Sequence, residues 1–591
     1  MMPGLCGRFV KTPALVSSFS YPQDQKFARS FFCDYTRPCS MSFPDSHQPK
    51  NLKTKFIFVA GGVMSGIGKG VTVASTARIL KNYGFKVTAV KIDPYLNVDA
   101  GTMNPTEHGE VFVLDDGRET DLDMGNYERF LNESLPGENY MTTGLVYKSV
   151  IERERTLGYE GRCVQIIPDV TDEVKNRILQ AAEKADADFC LVEIGGTVGE
   201  YENQLFLETG RIMRLEMPGQ VLFMLVSYFP VPTTVGEMKT KPTQHAVRML
   251  NYAGIQADFI IARAPVPLDE VRKRKVAIHC NMNPQDVISA PDIKSIYEVP
   301  VNFEKDNLGN RILEKVGMEA KERDGKEWGA FVEKAQLAQA PVKIGIVGKY
   351  FGTGDFTLSD SYISVIEAIK HAAWAHGRKP EITWVNAEKY EQDPASVEEL
   401  RQFHGVIVPG GFGSRGVEGK IKAIQFVREN NIPYLGLCYG LQLATIEFAR
   451  NVAGLTDAHT TEIKLTAAHP VIHTMADQVS KIENGNMGGT MRLGAYDCKL
   501  NPASKSAKLY SSELVSERHR HRYEVNNQYL DQLQAKGLLV AGVNPQLNLV
   551  EIVELPSHKF FVGTQFHPEL KSRPLDPHPL FKGFIEAAIE A

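Results

Sequence analysis

Two consecutive α/β domains, each doubly wound around its own sheet, are predicted by three observations. The chain has 591 residues, more than one hydrophobic core usually organises. From Lys55 a short apolar strand runs into a glycine-rich loop, a helix and a second strand, the opening of a βαβ unit. Much later, Gly436-Leu437-Cys438-Tyr439-Gly440 closes another apolar run and leads into a helical stretch.

In the first half, strands are expected at 56–60 and 87–91 around a helix over about 71–83. Apolar runs at 189–194, 221–226 and 259–262 continue a parallel sheet covered by helices. This domain is expected over 53–317. Residues 318–341 are charged and Ala-rich, with helical spacing at Trp328, Phe331 and Ala335, and read as a linker containing a helix. Runs at 342–347, 382–385, 406–408 and 434–437 alternate with helices such as 361–374 and place a second domain over 342–591. Residues 1–52 mix Ser, Pro, Phe and a few basic residues without periodicity and are expected to be a disordered leader. Asp24 and Asp34 weaken a targeting reading of its basic residues.

A hydrophobic fraction of 43% and a charged fraction of 23% are those of an ordinary globular protein. The net charge of -5 gives no global reason to bind nucleic acid or acidic membranes. The longest apolar run falls far short of the ~20 residues that span a bilayer. Eight cysteines without a Cys-x-x-Cys pair argue against structural zinc and against a disulfide scaffold, and fit a cytoplasmic protein.

Gly61-Gly62-Val63-Met64-Ser65-Gly66-Ile67-Gly68-Lys69-Gly70 lies between strand and helix, where small residues let backbone N–H groups approach phosphate oxygens and Lys69 neutralises them. The loop departs from the usual phosphate-loop pattern, because Gly70 stands where a hydroxyl residue would hold Mg²⁺. Carboxylates must supply the metal ligands, and the candidates are Asp123 and Glu193, the latter at a strand end followed by Gly195-Gly196. Lys239 and Lys241, within Glu237 to His245, offer cations for a second triphosphate; a solvated surface turn is the alternative.

The Cys438 segment reproduces with cysteine the Gly-x-Ser-x-Gly nucleophile elbow, and a helix N-terminus there favours the thiolate. After a strand ending at Gly563 come His567, a candidate general base, and Glu569, which can orient its imidazole. The turn Pro409 to Gly413 is expected to bring the N–H of Gly411 near the sulfur as an oxyanion donor, with the N–H of Tyr439 as the second.

Over 55–590 these segments, with Lys91 to Tyr95, Gly101 to Val113, Val192 to Gly199, Gly489 to Gly494 and Arg518 to Asn527, resemble the CTP synthase family of triad-type glutamine amidotransferases. The resemblance implies amination of UTP to CTP: ATP phosphorylates O4 of UTP, and ammonia from glutamine displaces the phosphate. It implies an ATP site at Ser65, Gly66, Ile67, Gly68, Lys69, Gly70 and Val71, with Asp123 and with Arg263 and Asp292 flanking adenine. Lys69 and Lys91 would work at the transferring phosphates and Mg²⁺ would sit on Asp123 and Glu193. UTP, or CTP as feedback inhibitor, would meet Ser65, Lys239, Thr240, Lys241, Pro242, Thr243, Gln244 and Lys275. Glu200, Tyr201 and Glu202 belong to the same set, although the family commonly has Asp-Ile-Glu there, and His279 replaces a frequent aromatic. Glutamine would be held by Gly411, Tyr439, Gly440, Leu441, Gln442, Glu462 and Arg522. Ammonia would pass Pro105, His108 and Val111, and GTP would activate through a lid from Phe412 to Glu418 that includes Arg415. A homotetramer, able to form filaments, is implied as well. Among ATP-coupled rivals, cobyrinic acid diamide synthases act on carboxylates, and the Glu237 to His245 group and the His108 segment favour the pyrimidine reading; a partitioning-type nucleotide switch or a filament-forming scaffold is the rival of another class, against which the Cys438 triad with Lys69 argues.

Overall fold

Strands that are apolar at consecutive positions need cover on both faces, and the first half supplies it. A computed structural model describes residues 53–590 except 235, 349–351, 354–355, 358, 476–477 and 479–487; the leader expected over 1–52 lies outside the described residues. The first-half strands are β1 (Lys55–Gly62), β2 (Val87–Asp93), β3 (Tyr140–Thr142), β4 (Phe189–Thr197), β5 (Val221–Tyr228), β6 (Phe259–Ala264) and β7 (Val287–Pro291). They pair in parallel in the order β3-β2-β4-β1-β5-β6-β7. Alternate residues of β1 feed two cores: Phe56 and Phe58 enter one, with Phe58 stacked on Phe223 at 5.2 Å, and Ile57 and Val59 enter the other. The second core is shared with α1 (Lys69–Asn82) and α2 (Asp123–Leu131). On the opposite face, α3 (Lys241–Tyr252) approaches so closely that a Cβ on Gly62 would lie 2.6 Å from that of Ala246.

The helix expected after residue 318 is α4 (Lys326–Leu337). Its Trp328, 1% exposed, lies beside Phe130 and donates from Nε1 to the carbonyl of Tyr297 at 3.0 Å. Tyr297 in turn hydrogen-bonds His371 at 2.6 Å, and Phe331 packs on Trp374, so this helix joins an aromatic cluster that bridges the two halves.

The second half begins as expected, with β8 (Pro341–Gly348), β9 (Lys379–Asn386), β10 (Gly405–Val408) and β11 (Tyr434–Leu437) all parallel, and with α5 (Ile363–Ala375), α6 (Val417–Glu429) and α7 (Tyr439–Asn451). It then departs from simple β/α alternation. The remaining strands are β12 (Arg492–Leu500), β13 (Leu514–His521), β14 (Leu539–Val543), β15 (Val550–Glu554) and β16 (Phe561–Thr564). The sheet runs β9-β8-β10-β11-β16-β15-β14-β12-β13, and every pairing beyond β16 is antiparallel.

The outermost strand carries the joint between the halves. Arg518 and Arg520 point from β13 to the first half, and His519 and His521 point back into the second, the alternation a strand imposes. Arg518 is fully buried and makes a bidentate pair with Glu128 at 2.9 and 3.0 Å and a third bond to Asp115 at 2.7 Å. Arg520 bonds Glu119 at 2.8 Å and the carbonyl of Gly101 at 3.2 Å. A planar guanidinium suits such forked pairing, and a buried carboxylate left without it would be costly.

Candidate active sites

The elbow between β11 and α7 puts Cys438 at φ 50, ψ -96, a backbone that a β-carbon makes strained. The strain is held because the Cys438 N–H donates to the carbonyl of Thr564 on the adjoining strand at 2.6 Å. Gln565 Nε2 approaches the sulfur at 3.7 Å, and the sulfur approaches the Arg520 carbonyl at 3.7 Å. His567 follows β16, and its Nδ1 lies 2.7 Å from Glu569 Oε1. A carboxylate there holds the proton on Nδ1 and leaves Nε2 free to work on the thiol. Burial opposes charge on His567, but Glu569 and the adjacent Cys438 outweigh it and raise the imidazole well above its ordinary value. Gly410 keeps the pair close: a Cβ there would stand 2.9 Å from His567 Cε1 and 3.7 Å from Cys438 Cβ.

The sulfur opens on a cavity of about 520 Å³ whose wall is shared by both halves. Gly411, Phe412, Glu462, Arg522 and Tyr523 line one side; Gly101, Pro105, Glu110 and Val111 line the other. Glu462 and Arg522, opposite charges in one cavity, suit the two charged ends of an amino acid. Arg522 is steadied by Gln478 at 2.7 Å and Thr490 at 3.0 Å, and Glu462 accepts from the N–H of Gly413 at 2.7 Å. Tyr439 OH donates to the Gly413 carbonyl at 3.2 Å, so the segment 411–413 is fixed over the thiol from two sides. Gly440, Leu441 and Gln442 are buried behind it; the Gln442 amide bonds the Tyr523 carbonyl at 2.8 Å. In the expected lid, the Phe412 ring lies under the Arg520 guanidinium at 5.4 Å, and Arg415 pairs with Glu388 at 2.8 Å.

The second site lies at the carboxyl ends of β1, β2 and β4. Gly68 at φ 85 caps the N-terminus of α1, and Lys69 turns back to donate to the Gly196 carbonyl at 2.9 Å. Burial lowers the Lys69 ammonium from its ordinary value against the pull of Glu193. Lys91 sits among four carboxylates: Asp123 in direct contact, Glu193 at 3.0 Å, and Asp121 and Asp93 at 3.7 Å each. Burial opposes its charge, but these neighbours raise it well above the ordinary lysine value. Tyr127 donates a hydrogen bond to Glu193. The missing side chain at Gly70 explains the altered phosphate loop: a Cβ there would lie 1.9 Å from Asp123 Oδ1. The carboxylate thus fills the place the usual loop gives to its hydroxyl. Gly70→Ala should therefore displace Asp123 and lower UTP-dependent ATP hydrolysis by about 10- to 100-fold, with glutamate release at Cys438 retained; equal loss of both activities would count against it.

A smaller cavity of about 210 Å³ adjoins the loop, lined by Gly68, Val71, Arg263 and Asp292, and Arg263 bonds Asp292 at 3.0 Å. The other expected residues gather less tightly. Thr240 precedes α3, Pro242 stands in its first turn, Gln244 bonds Thr240 at 3.2 Å and Thr243 is buried against Ser227. Lys239 pairs with Glu237 at 2.7 Å; Lys275 and Arg272, on the helix Glu270–Cys280 with the exposed His279, also act on that carboxylate. Ser65, Lys241, Tyr201 and Glu202 are exposed, and the Glu200 carboxylate is turned onto the Thr197 N–H at 2.8 Å. His108 is outside the cavity wall and lies beside Tyr95, whose hydroxyl reaches Asp93 at 2.9 Å. Sequence reasoning missed Asp93, Asp121, Tyr127, Glu110, Arg518 and Arg520; only the alternating Arg-His-Arg-His-Arg run carried a signal, that of a strand with two different faces.

A cysteine elbow whose thiol opens on a cavity shared with the half that carries the glycine-rich loop points to a class: a glutamine amidotransferase coupled to an ATP-dependent ligase. Family models specify it further. "CTP synthase N-terminus" matches residues 55–318 and "Glutamine amidotransferase class-I" matches 357–587. A CTP synthase of Caldanaerobacter subterraneus subsp. tengcongensis is 49% identical over 536 residues, 90% of this chain and 98% of that one. A CTP synthase of Thermococcus gammatolerans is 50% identical over 539 residues, 91% and 99% of the two chains. Among solved structures, the Trypanosoma brucei CTPS glutaminase domain with bound acivicin is 40% identical, covering 42% of this chain and 94% of that one, with a TM-score of 0.39. The chain belongs to the CTP synthase family, glutamine-hydrolysing enzymes that make CTP from UTP. Among the described residues no helix is long and apolar enough to cross a membrane.

Proposed function

We propose that the two sites divide one reaction. At the phosphate-loop site ATP phosphorylates O4 of UTP, converting a poor leaving group into a good one. At the second site Cys438 attacks the glutamine amide with His567 as base and Glu569 orienting it; ammonia leaves, and water releases glutamate from the thioester. Ammonia crosses to the first site past Pro105, Val111 and His108, attacks C4 and expels phosphate. The observation that carries this reading is the shared cavity, which is lined by Cys438 of one half and by Pro105, Glu110 and Val111 of the other.

Lys69 and Lys91 are assigned to the transferring phosphates, and the cavity at Arg263 and Asp292 to adenine. Lys239, Lys241, Gln244 and Lys275 are assigned to UTP, with Glu200 to Glu202 as a site for feedback by CTP. Asp123 and Glu193 fit Mg²⁺, since Gly70 yields its side-chain space to the Asp123 carboxylate and two carboxylates with phosphate oxygens are a usual magnesium set. The ion would neutralise charge on the transferring phosphoryl group. Glu462 and Arg522 would hold the glutamine zwitterion, and the N–H groups of Gly411 and Tyr439 its oxyanion. GTP is assigned to the segment 412–418, where ordering Phe412 and Arg415 would close the glutamine site. A cytoplasmic homotetramer able to form filaments is proposed by analogy with the family. The test is ATP hydrolysis with and without UTP: a UTP-dependent rise supports the reading, and ATP hydrolysis indifferent to UTP counts against it.

A further inference from the structure

The reaction above gives no role to Glu110, a carboxylate of the shared cavity. Glu110 lines that space together with Cys438, His567 and Glu569. It also pins the segment 105–111 to the other half. Its own N–H donates to the Asp360 carbonyl at 2.9 Å, and nearby Ser361 Oγ donates to the Pro105 carbonyl at 3.1 Å. Its carboxylate accepts from the N–H of Ser364 at 3.1 Å and from the Ser364 hydroxyl, in the first turn of α5. A carboxylate there meets unsatisfied N–H groups and the positive end of the helix dipole. Both bonds fall on Oε2, which leaves Oε1 for an occupant of the cavity.

We propose that Glu110 is a positioning residue for ammonia transfer: ionised, it accepts an N–H hydrogen bond from ammonia at Oε1 while Oε2 holds the segment 105–111 on α5. This rests on the amination reading and adds a residue to it. The chemistry turns on the proton. A neutral Glu110 would give its proton to ammonia, leaving carboxylate and ammonium, and ammonium has no lone pair with which to attack C4 of the pyrimidine. Ionised Glu110 orients ammonia and leaves its lone pair intact. Burial pushes the Glu110 carboxyl up to about 7; Ser364 opposes the rise, Glu569 adds to it and Arg129 opposes it. Around the same cavity stand His567, Glu462, Arg520 and Arg522. The group therefore changes form near neutrality, ionised above and protonated below.

The test measures CTP formed per glutamate released, with glutamine, UTP and ATP, from about pH 6 to about pH 9. In the wild type this ratio should fall as pH drops through about 7. Glu110→Gln can keep its oxygen on Ser364 but has no acid proton and turns an amide toward the cavity. Its ratio should be lower above neutrality, by about 5-fold, and should not fall further below it. UTP-dependent ATP hydrolysis by the variant serves as the check that it has folded. A wild-type ratio that is flat with pH, or a Glu110→Gln ratio with the wild-type value and slope, overturns the proposal. No CTP from the wild type at any pH would overturn the amination reading beneath it.

Discussion

Cys438→Ala is expected to abolish CTP formation from glutamine, by at least ~10³-fold, and to leave formation from free ammonia within about two-fold of the wild type. The substitution removes one sulfur atom from a side chain that is 4% exposed and reaches the substrate only through the shared cavity. The elbow itself should persist, because its geometry is set by the backbone bond to Thr564 and alanine carries the same β-carbon. The phosphate-loop site contains no atom of Cys438 and needs only ammonia, whatever its source. Absorbance at the pyrimidine, followed with glutamine and then with an ammonium salt, reads both. Loss of the ammonia-supported reaction in this variant would contradict the division of labour between the two halves.

Lys69→Ala is expected to do the opposite, removing synthesis from either nitrogen source by at least ~10²-fold while glutamate release continues. Lys69 sits at the start of α1 with its ammonium 2.9 Å from the Gly196 carbonyl, in the ring of backbone that would face the phosphates. Alanine leaves Glu193 and Asp123 with Lys91 as their nearest cation, so both the charge available to a triphosphate and the balance of the acidic cluster are lost. ADP formation in the presence of UTP is the direct readout. ADP formed at the wild-type rate would mean that phosphate binding lies elsewhere.

The parts legible in the sequence were those where one residue type has one physical use. Glycines between a strand and a helix announced the phosphate loop, and a cysteine between glycines after a strand announced the elbow. The absent hydroxyl at Gly70 was visible, and the structure supplies the reason, since Asp123 fills that space from another helix. Contacts between distant segments were not legible. Arg518 and Glu128 stand 390 residues apart, and nothing local marks them as partners. Of the four strands beyond β16, three carry charged residues where most sheets are apolar, which hides the strand pattern; on β13 Arg518 and Arg520 face the other half of the molecule instead of water. Glu110 carries no local mark in the sequence; its partner, Ser364 of α5, lies 254 residues away.

The central claim is that nitrogen from glutamine becomes the exocyclic amine of a pyrimidine. The most direct measurement gives the wild-type protein UTP, ATP, Mg²⁺ and glutamine labelled with ¹⁵N at the side-chain amide, in a large excess of unlabelled ammonium at near-neutral pH. The account predicts CTP labelled at N4, with ADP formed in equal amount and the label diluted little by the ammonium outside. Label at full dilution would contradict an enclosed passage between the sites, and ADP without labelled CTP would contradict the amination itself.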